Sequence, residues 1–310
     1  MLKLSIIIPF LNEEENIPFL SNSLSDYFNV EKRFEVEVIF VDDGSTDDSK
    51  SVLENHKHKN YKCKIVKLSK NFGSHAALRA GIQNSTGDFI TFLYADLQDP
   101  ISVISKMFDK IESDNSLKIV WANRKASNIG ILNLFFSKLY SLLMRKFVLE
   151  NYPYKGFDIV MFSKKVSTLL NNNIESNSSI FLQILSFGFK QDFITYNKIA
   201  RHKGTSKWTT SKKFKLLVDS FVAFSFAPIR FVTIVGLFLF AVGFCFSVYI
   251  FLRKIFINDL NAGWPMLISI ITLGFGITNI SLGILAEYIW RTLDISRDRP
   301  VFIIEEVIKI

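Results

Sequence analysis

The stretch VEVIFVDDGSTDD, residues 36–48, decides the fold class of this chain. It begins with a short, mostly apolar run that is typical of a buried strand and ends in acidic and turn-forming residues. Similar apolar runs recur through the N-terminal part of the chain. They are LSIIIP (4–9), CKIVKL (63–68), DFITFL (88–93) and KIVWA (118–122). Because these runs alternate with helix-like polar segments, the sequence predicts an α/β fold with a Rossmann-like, mainly parallel sheet and helices on both faces.

Polar clusters follow three of the predicted strands. They are Pro9 to Glu13, Asp42 to Ser45, and Asp96 to Asp99. Ligands of such sheets bind beyond the carboxyl ends of the strands, so we expect the clusters to converge on one edge. Neither GxGxxG after the first strand nor GxxxxGK[ST] occurs, which argues against a dinucleotide oxidoreductase and a P-loop NTPase. Carboxylates without a glycine cradle favour a nucleotide held through ribose hydroxyls and a divalent cation, Mg²⁺ or Mn²⁺.

The stretch FLYADLQDP, residues 92–100, raises a question about that cation site. Asp96 and Gln98 offer hard oxygen ligands, but Tyr94 stands where a second carboxylate would complete an Asp-x-Asp pair. Asp99 is expected to act only as the N-cap of a helix that begins at Pro100.

Two other local predictions concern side chains near these clusters. Ser45 or Thr46 can cap the helix that follows the acidic turn. His75 and His202 are expected to be ordinary surface or pocket residues rather than catalytic bases.

The C-terminal part of the chain is strongly apolar. Residues 231–252 and 264–286 contain 22 and 23 residues without a charge. At ~1.5 Å rise per residue, either run would cross a hydrocarbon core of about 30 Å as a helix. The preceding basic and apolar residues predict an interfacial amphipathic helix, with a packed connecting helix as the alternative. The predicted organisation is a catalytic domain over 1–210, the amphipathic helix over 211–230, a two-helix transmembrane hairpin over 231–290 and a C-terminal tail over 291–310.

The charge distribution predicts the orientation of the hairpin. The formal net charge is +8, and basic residues are concentrated on the side of the hairpin that carries both chain ends. They are Arg201, Lys203, Lys207, Lys212, Lys213, Lys215 and Arg230 before the first apolar run, and Arg291, Arg297, Arg299 and Lys309 after the second. The positive-inside rule therefore places the N-terminal domain and the tail in the cytoplasm.

Two negative observations narrow the cellular context. Cys63 and Cys245 lie far apart and fit neither a zinc site nor a disulfide framework, which suits a reducing compartment. The first residues, MLKLSIIIPF, form too short an apolar run for a signal peptide.

Five stretches of the chain resemble the GT-A family of inverting glycosyltransferases, family 2. The resemblance is strongest to its polyprenyl-phosphate branch, which includes dolichol-phosphate mannosyltransferases and bacterial polyprenyl-phosphate glucosyltransferases. The stretches are SIIIPFLNEEENI, VIFVDDGSTDDS, LSKNFGSHAALRAGI, GDFITFLYADLQDP, and RHKGTSKWTTSKK with the two apolar runs behind it. The last is the most discriminating, because few GT-A enzymes combine R-x-x-G-x-S-K with a membrane hairpin.

The resemblance implies roles for individual residues. Donor-binding residues are implied at Pro9, Leu11, Glu13, Asp42, Asp43, Tyr94, Ala95, Asp96 and Gln98. The metal-contacting pair is implied to be Asp96 and Gln98, and the catalytic residues Asp96, Arg124 and Asp158. The acceptor phosphate is implied to contact Arg124, Ser137, Arg201 and Lys207. Since metal contact is implied for Asp96 and Gln98, we expect Tyr94 to alter the nucleotide side of the site and to leave cation binding intact.

The reaction implied is inverting transfer of a sugar from a nucleotide-sugar to polyprenyl (undecaprenyl) phosphate, with Mg²⁺ or Mn²⁺ as cofactor. The product would be a lipid-linked sugar for cell-envelope glycans, made at the bacterial inner (plasma) membrane. The expected partners are the donor, the lipid acceptor and the bilayer but no nucleic acid, and association into a homo-oligomer is left open.

Three alternative functions would require different features of the sequence. Transfer to another membrane lipid, such as a lipid hydroxyl, would need a general base such as Asp158. A processive polysaccharide synthase is disfavoured, because two spans are too few to line a channel and no QxxRW-like motif is present. A nucleotide-binding membrane scaffold without turnover would explain Tyr94 as a mark of degeneration.

Overall fold

A computed structural model gives the tertiary structure of the chain. It describes residues 2–125, 131–153, 156–175, 178–199, 218–222, 225, 227–256, 264–297 and 299–310. The chain divides into two compact units. The first consists of Met1–Leu217 with Pro300–Ile310, and the second of Val218–Arg299.

The first unit is built on one eight-stranded sheet in the order β7-β5-β6-β4-β1-β2-β3-β8. The strands are β1 (Leu2–Phe10), β2 (Phe34–Asp42), β3 (Lys62–Leu68), β4 (Phe89–Phe92), β5 (Ile119–Arg124), β6 (Ile159–Ser163), β7 (Gln191–Tyr196) and β8 (Ile304–Lys309). β1 pairs in parallel with β2 and β4, β2 with β3, and β5 with β7. The prediction of a mainly parallel α/β sheet is confirmed.

Two strands run against the others in the described sheet. β6 is antiparallel to its neighbours β4 and β5, and β8 is antiparallel to β3. The sequence interpretation assigned β8 to a tail, but its residues form the last strand of the first unit. Lys50 and Lys67 pair with Glu306 and Glu305 of β8 at 2.7 and 2.9 Å, so side chains as well as the ladder hold this strand in place.

Seven helices of the first unit are described. They are α1 (Ile17–Val30), α2 (Ser49–Asn55), α3 (Ser74–Gln83), α4 (Val103–Ser113), α5 (Ile131–Phe147), α6 (Lys164–Asn172) and α7 (Ile180–Ser186). Successive side chains of a strand point to opposite faces of the sheet. On β1, Ile6 and Ile8 join the core cluster that contains Leu24 of α1 and Met107 of α4. Ile7 lies against α3 on the opposite face, so both faces of the sheet are covered, as predicted.

The second unit contains two long helices, α8 (Ala227–Phe256) and α9 (Trp264–Ser296), and a short helical segment over 218–222. Arg291 of α9 donates to Asp219 at 2.7 Å, and the Tyr288 hydroxyl donates to the carbonyl of Ser225 at 2.9 Å. These contacts join the segment before α8 to the C-terminal part of α9. Among the described residues, no helix is at once long enough and apolar enough to cross a bilayer.

Candidate active site

The carboxyl ends of β1 and β2 lie side by side. Phe10 is opposite Asp42 in the sheet register, and the N–H of Asp43 donates to the carbonyl of Phe10 at 3.0 Å. The buried Asp42 carboxylate accepts the N–H of Ser45 at 2.7 Å and so closes the acidic turn. Gly44 has a φ of 77°, and a Cβ there would lie 2.6 Å from the Lys70 carbonyl carbon. This close approach requires glycine in the turn.

The loop after β1 is fastened to the same turn. The N–H of Asn12 donates to Ser45 Oγ at 3.0 Å, and Asn12 Oδ1 accepts the N–H of Thr46 at 2.8 Å. The N–H of Glu13 donates to Ser49 Oγ at 2.8 Å. These bonds place Leu11 and Glu13 beside the turn that contains Asp42. The capping prediction for Ser45 and Thr46 was wrong, because α2 begins only at Ser49, and both residues bind Asn12 instead.

The loop after β4 carries the predicted cation ligands. The N–H of Leu93 donates to the carbonyl of Ile7, so this loop leaves the sheet next to the end of β1. Asp96 Oδ1 accepts the N–H of Gln98 at 3.2 Å, and Leu97 between them has a φ of 57°. A left-handed leucine costs energy and persists only where surrounding contacts hold it. The loop is therefore a constrained turn at the carboxyl end of β4 that contains both Asp96 and Gln98.

Asp99 does not have the capping role that the sequence predicted. α4 begins at Val103 with Ser102 as its N-cap, and Pro100 lies outside the helix. The Asp99 side chain is almost fully buried, and its Oδ1 accepts the Tyr196 hydroxyl at 2.6 Å. Burial of a carboxylate favours its contact with a donor over a place in a solvated cap. Burial also raises the pKa of Asp99, against the lowering effect of Lys198.

Arg124 and Asp158 meet at the same edge. Arg124 ends β5, and Asp158 immediately precedes the antiparallel β6, so both face the carboxyl end of the sheet. Asp158 Oδ2 accepts the backbone N–H of Arg124 at 3.3 Å and lies 3.9 Å from its Nε. The guanidinium is about half exposed, which leaves it accessible to a ligand while Asp158 limits its orientation.

Tyr94 lies close to the carboxylates of this edge. Burial raises the pKa of its hydroxyl, and the negative charges of Asp99, Asp158 and Asp96 raise it further. The phenol therefore remains protonated near neutral pH and is a hydrogen-bond donor among acceptors. A carboxylate at position 94 would add a fourth negative charge beside Asp96, Asp99 and Asp158, whereas the phenol adds none.

Three predicted acceptor residues cannot be placed. Arg201 and Lys207 lie outside the described residues, as does half of the predicted amphipathic helix over 211–230. Ser137 lies on α5, but its side chain is outside the described part. Their contacts with an acceptor phosphate stay predictions.

The sequence reasoning missed Tyr196 and Lys198. Tyr196 is the last residue of β7, and Lys198 lies two residues after it. Both contact Asp99, and Lys198 Nζ lies 3.6 Å from Asp99 Oδ1. The run FITY, residues 193–196, consists of aromatic and β-branched residues and stands just before the basic motif. This composition is typical of a short strand and could have located these residues.

The donor set of the 94–99 loop fits a hard divalent cation. Asp96 and Gln98 supply one carboxylate and one amide oxygen, and Asp99 Oδ2 is buried without a hydrogen-bond partner among the described residues. Mg²⁺ is usually bound by one or two carboxylates together with substrate phosphates rather than by a complete protein cage. The described part of the chain contains no cluster of three or more His, Cys, Asp or Glu that could hold a metal ion.

Comparisons with known proteins extend over the whole chain. Residues 5–170 match the family described as Glycosyl transferase family 2. The prophage bactoprenol glucosyl transferase homolog of Escherichia coli (strain K12) is 30% identical, covering 99% of this chain and 100% of that protein. The bactoprenol glucosyl transferase of Shigella phage SfX is 29% identical, covering 98% of this chain and 99% of that protein.

A solved structure with a similar fold aligns with a smaller share of this chain than the two relatives do. Glucosyl-3-phosphoglycerate synthase from Mycobacterium tuberculosis aligns with a TM-score of 0.49 and 16% identity, over 71% of this chain and 78% of that chain. The alignments with the two bacterial and phage relatives include the apolar C-terminal part of this chain.

Proposed function

The chain belongs to glycosyl transferase family 2 and is a glycosyltransferase, and we propose that it transfers a sugar from a nucleotide-sugar to the phosphate of a polyprenyl phosphate, with inversion. The observation that carries the proposal is the convergence of the 42–45 turn, the 94–99 loop and the Arg124–Asp158 pair on one edge of the sheet. The acceptor class is supported by the full-length relatives, which are named bactoprenol glucosyl transferases.

The donor would bind where the loops after β1, β2 and β4 meet. Pro9, Leu11, Glu13 and Asp42 line the loops that are fastened together by Asn12, and they would enclose the nucleoside. Carboxylates accept hydrogen bonds from ribose hydroxyls, which suits this part of the site. Tyr94 would donate a hydrogen bond to the donor rather than accept one, because its hydroxyl stays protonated among the carboxylates.

The diphosphate of the donor would lie at the 94–99 loop. Asp96 and Gln98 would hold Mg²⁺ or Mn²⁺, which when bound neutralises charge on the leaving nucleoside diphosphate. Arg124 would add a positive charge that stabilises the same diphosphate. Asp158 accepts the backbone N–H of Arg124 and lies near its guanidinium, so it would orient this side chain.

The acceptor phosphate needs positioning more than it needs a base. The second pKa of a phosphomonoester is about 6, so the attacking oxygen is already largely ionised near neutral pH. Arg201 and Lys207 would hold this anion in line with the anomeric carbon, and Ser137 would add a hydroxyl contact. The oxygen then displaces the nucleoside diphosphate from the opposite face of the sugar, which inverts the anomeric configuration.

We further infer from the sequence, although no described helix qualifies as a membrane span, that the apolar C-terminal part anchors the enzyme in the bacterial inner membrane, with the first unit and the C-terminus in the cytoplasm. The uncharged runs 231–252 and 264–286 support this. So do large apolar side chains that are more than half exposed. They include Phe231, Ile234, Leu237, Phe238, Phe275, Ile280 and Ile289. The return of the chain to form β8 in the sheet of the first unit supports an even number of crossings.

The experiment that tests the function combines the full-length protein in detergent with undecaprenyl phosphate and radiolabelled nucleotide-sugars, beginning with UDP-glucose. The expected result is a lipid-linked sugar that disappears when EDTA is present. Product with a lipid hydroxyl but not with the phosphate would identify another acceptor. No product with any donor would favour a scaffold, and product that survives EDTA would overturn the cation assignment.

A further inference from the structure

We propose that Asn12 and Glu14 are positioning residues that join the loop after β1 to the loop after β2 and so hold the nucleoside half of the donor site in a preformed shape. The proposal rests on the proposed function, because that function assigns the donor to these two loops. Neither side chain is expected to touch the donor. Their role would be to fix Leu11 and Glu13 relative to Asp42 before the donor binds.

The main chain of the first loop donates to side chains of the second. Three consecutive N–H groups take part. They are those of Asn12 to Ser45 Oγ at 3.0 Å, of Glu13 to Ser49 Oγ at 2.8 Å and of Glu14 to Asp47 Oδ2 at 3.3 Å. A loop whose main-chain donors find their acceptors in another segment takes its shape from that segment as well as from its own sequence.

Side chains of the first loop accept hydrogen bonds from the main chain of the second. Asn12 Oδ1 accepts the N–H of Thr46 at 2.8 Å, and Glu14 Oε2 accepts the N–H of Asp48 at 3.0 Å. Each loop therefore supplies acceptors for the backbone of the other. One exposed hydrogen bond is weak, because water competes for both partners. Several bonds between the same two segments form a network, and a network can contribute more than its separate members.

The backbone conformation of Asn12 suits this reciprocal arrangement. Its φ is 50°, which lies in the left-handed region that asparagine adopts more readily than most residues. In this conformation its N–H contacts Ser45 while its side chain contacts Thr46. Glycine could adopt the same φ but would lose the contact with Thr46. The conformation and the side-chain bond can therefore be separated by one substitution.

The joined loops contain the residues that would contact the nucleoside. Asp42 Oδ1 accepts the N–H of Ser45 at 2.7 Å, and Ser45 Oγ in turn accepts the N–H of Asn12. These two bonds connect the carboxylate that would bind the ribose to the main chain between Leu11 and Glu13. Loss of the Asn12 or Glu14 side-chain contacts should therefore disturb binding of the donor more than binding of the acceptor.

The test uses Asn12→Gly and Glu14→Ala in the full-length protein. Asn60→Gly is a matched control, because Asn60 also has a positive φ, of 66°, and its side chain also bonds to the main chain, at the carbonyl of Ser25. Asn60 precedes β3, so it lies at the edge of the parallel strands opposite the site. Glu14→Gln keeps an acceptor oxygen and is the conservative variant of the second pair.

Two readouts separate positioning from stability. The first is deuterium exchange of the amides over 44–48, measured by mass spectrometry. The second is transfer kinetics with donor and acceptor varied separately. The donor is UDP-glucose, or whichever nucleotide-sugar gives product in the functional assay.

In Asn12→Gly and Glu14→Ala we expect the 44–48 amides to exchange at least about threefold faster than in the wild type, as for loss of one hydrogen bond. The KM for the donor should rise at least about threefold, while the KM for polyprenyl phosphate changes less than about twofold. Glu14→Gln and Asn60→Gly should stay within about twofold of the wild type in both readouts.

A purely structural role predicts a different result. Asn12→Gly and Glu14→Ala would then unfold at a lower temperature, but their donor KM would match that of Asn60→Gly, which would overturn the proposal. Exchange over 44–48 that matches the control in both variants would also overturn it.

Failure of the proposed function can be told apart from failure of this inference. If the wild-type protein forms no product with any donor, the proposed function fails and the assignment of these loops to the donor fails with it. The exchange rates then decide by themselves whether the two side chains join the loops. Faster exchange in Asn12→Gly and Glu14→Ala supports that connection, and unchanged exchange rejects it.

Discussion

The backbone N–H of Gly73 donates to Oδ2 of Asp43 at 3.0 Å, across 30 residues of sequence. The N–H of Phe72 donates to Oδ1 of the same carboxylate at 2.8 Å. Asp43 is buried at the end of β2, and Gly73 is the N-cap of α3. The resemblance implied a donor contact for Asp43, and the structure shows that its carboxylate holds the start of a helix.

Replacement of Asp43 by Ala is therefore expected to destabilise the first unit. Two half-buried main-chain donors would lose their acceptor, which costs up to about 1–3 kcal/mol. Asp43→Asn keeps one acceptor oxygen, so its free energy of unfolding should fall less than that of Asp43→Ala. Denaturant unfolding of the full-length protein measures the change, with the largely exposed Asp109→Ala as a control. Unchanged stability together with a strongly raised donor KM would show that Asp43 is mainly a ligand contact.

Asp96→Ala should remove most of the transfer activity. The variant loses the only carboxylate of the predicted cation pair, and loss of one preorganised electrostatic group at a reacting centre typically costs about 10²–10³ in turnover. The assay is lipid-linked product formed per enzyme at saturating Mn²⁺. Asp192→Ala, which removes a partly exposed partner of Lys110, should remain near wild-type activity. Wild-type turnover in Asp96→Ala would mean that the site is wrongly placed.

Tyr94→Phe tests whether the unusual phenol serves the nucleotide or the cation. Removal of its hydroxyl should raise the donor KM by about three- to tenfold, as expected for one neutral hydrogen bond of about 0.5–1.5 kcal/mol. The Mn²⁺ concentration for half-maximal activity should stay the same, since the phenol carries no charge. A titration of Mn²⁺ at fixed donor separates the two roles. A shift in the Mn²⁺ requirement without a change in donor KM would contradict this assignment.

Lys207→Ala should weaken use of the lipid acceptor. Loss of one charge-assisted contact to a phosphate costs about 1.5–3 kcal/mol, so the KM for polyprenyl phosphate should rise about tenfold or more. Turnover at saturating acceptor should change much less. Lys57→Ala removes an exposed lysine far along the sequence and serves as the control. Equal acceptor KM values for the two variants would leave Lys207 with only a general attraction to anionic lipid.

The stability of the protein should fall as the pH drops through the range in which His75 titrates. Burial, with help from the charge of Arg79, lowers the pKa of His75 to about 4. A histidine in the unfolded chain binds a proton near pH 6.5, so the unfolded state carries more protons between these values. Its stabilising contribution is present above pH 6.5 and is lost as the pH falls toward 4.

Thermal unfolding of the wild type and of His75→Asn between pH 7 and 4 measures this effect. The variant should show a flatter profile, with a difference on the order of 2 kcal/mol across the range. Comparison within this pair is necessary, because burial also lowers the pKa of His58. Parallel stability–pH profiles of the wild type and the variant would show that His75 does not contribute to the pH dependence of stability.

The local sequence pattern was sufficient to predict the strands that consist of a continuous, buried apolar run. β1 to β5 were predicted within two residues at every end, because each combines a continuous apolar stretch with a turn signal behind it. The same reasoning located the polar clusters after β1, β2 and β4, since strand ends of a parallel sheet share an edge. β6, β7 and β8 were missed. β6 and β8 run antiparallel to their neighbours, so they do not fit the β-α repeat that located the other strands.

The sequence by itself determined the sheet, its edge and the residue types gathered there, because strand periodicity and turn chemistry are local properties. Only the tertiary structure decided what Asp43 and Asp99 do. Both were assigned from their neighbours in sequence, but their hydrogen-bond partners lie 30 and 97 residues away. Burial makes a carboxylate bind whichever donor the fold brings within reach, and that choice depends on distances in space that no local pattern contains.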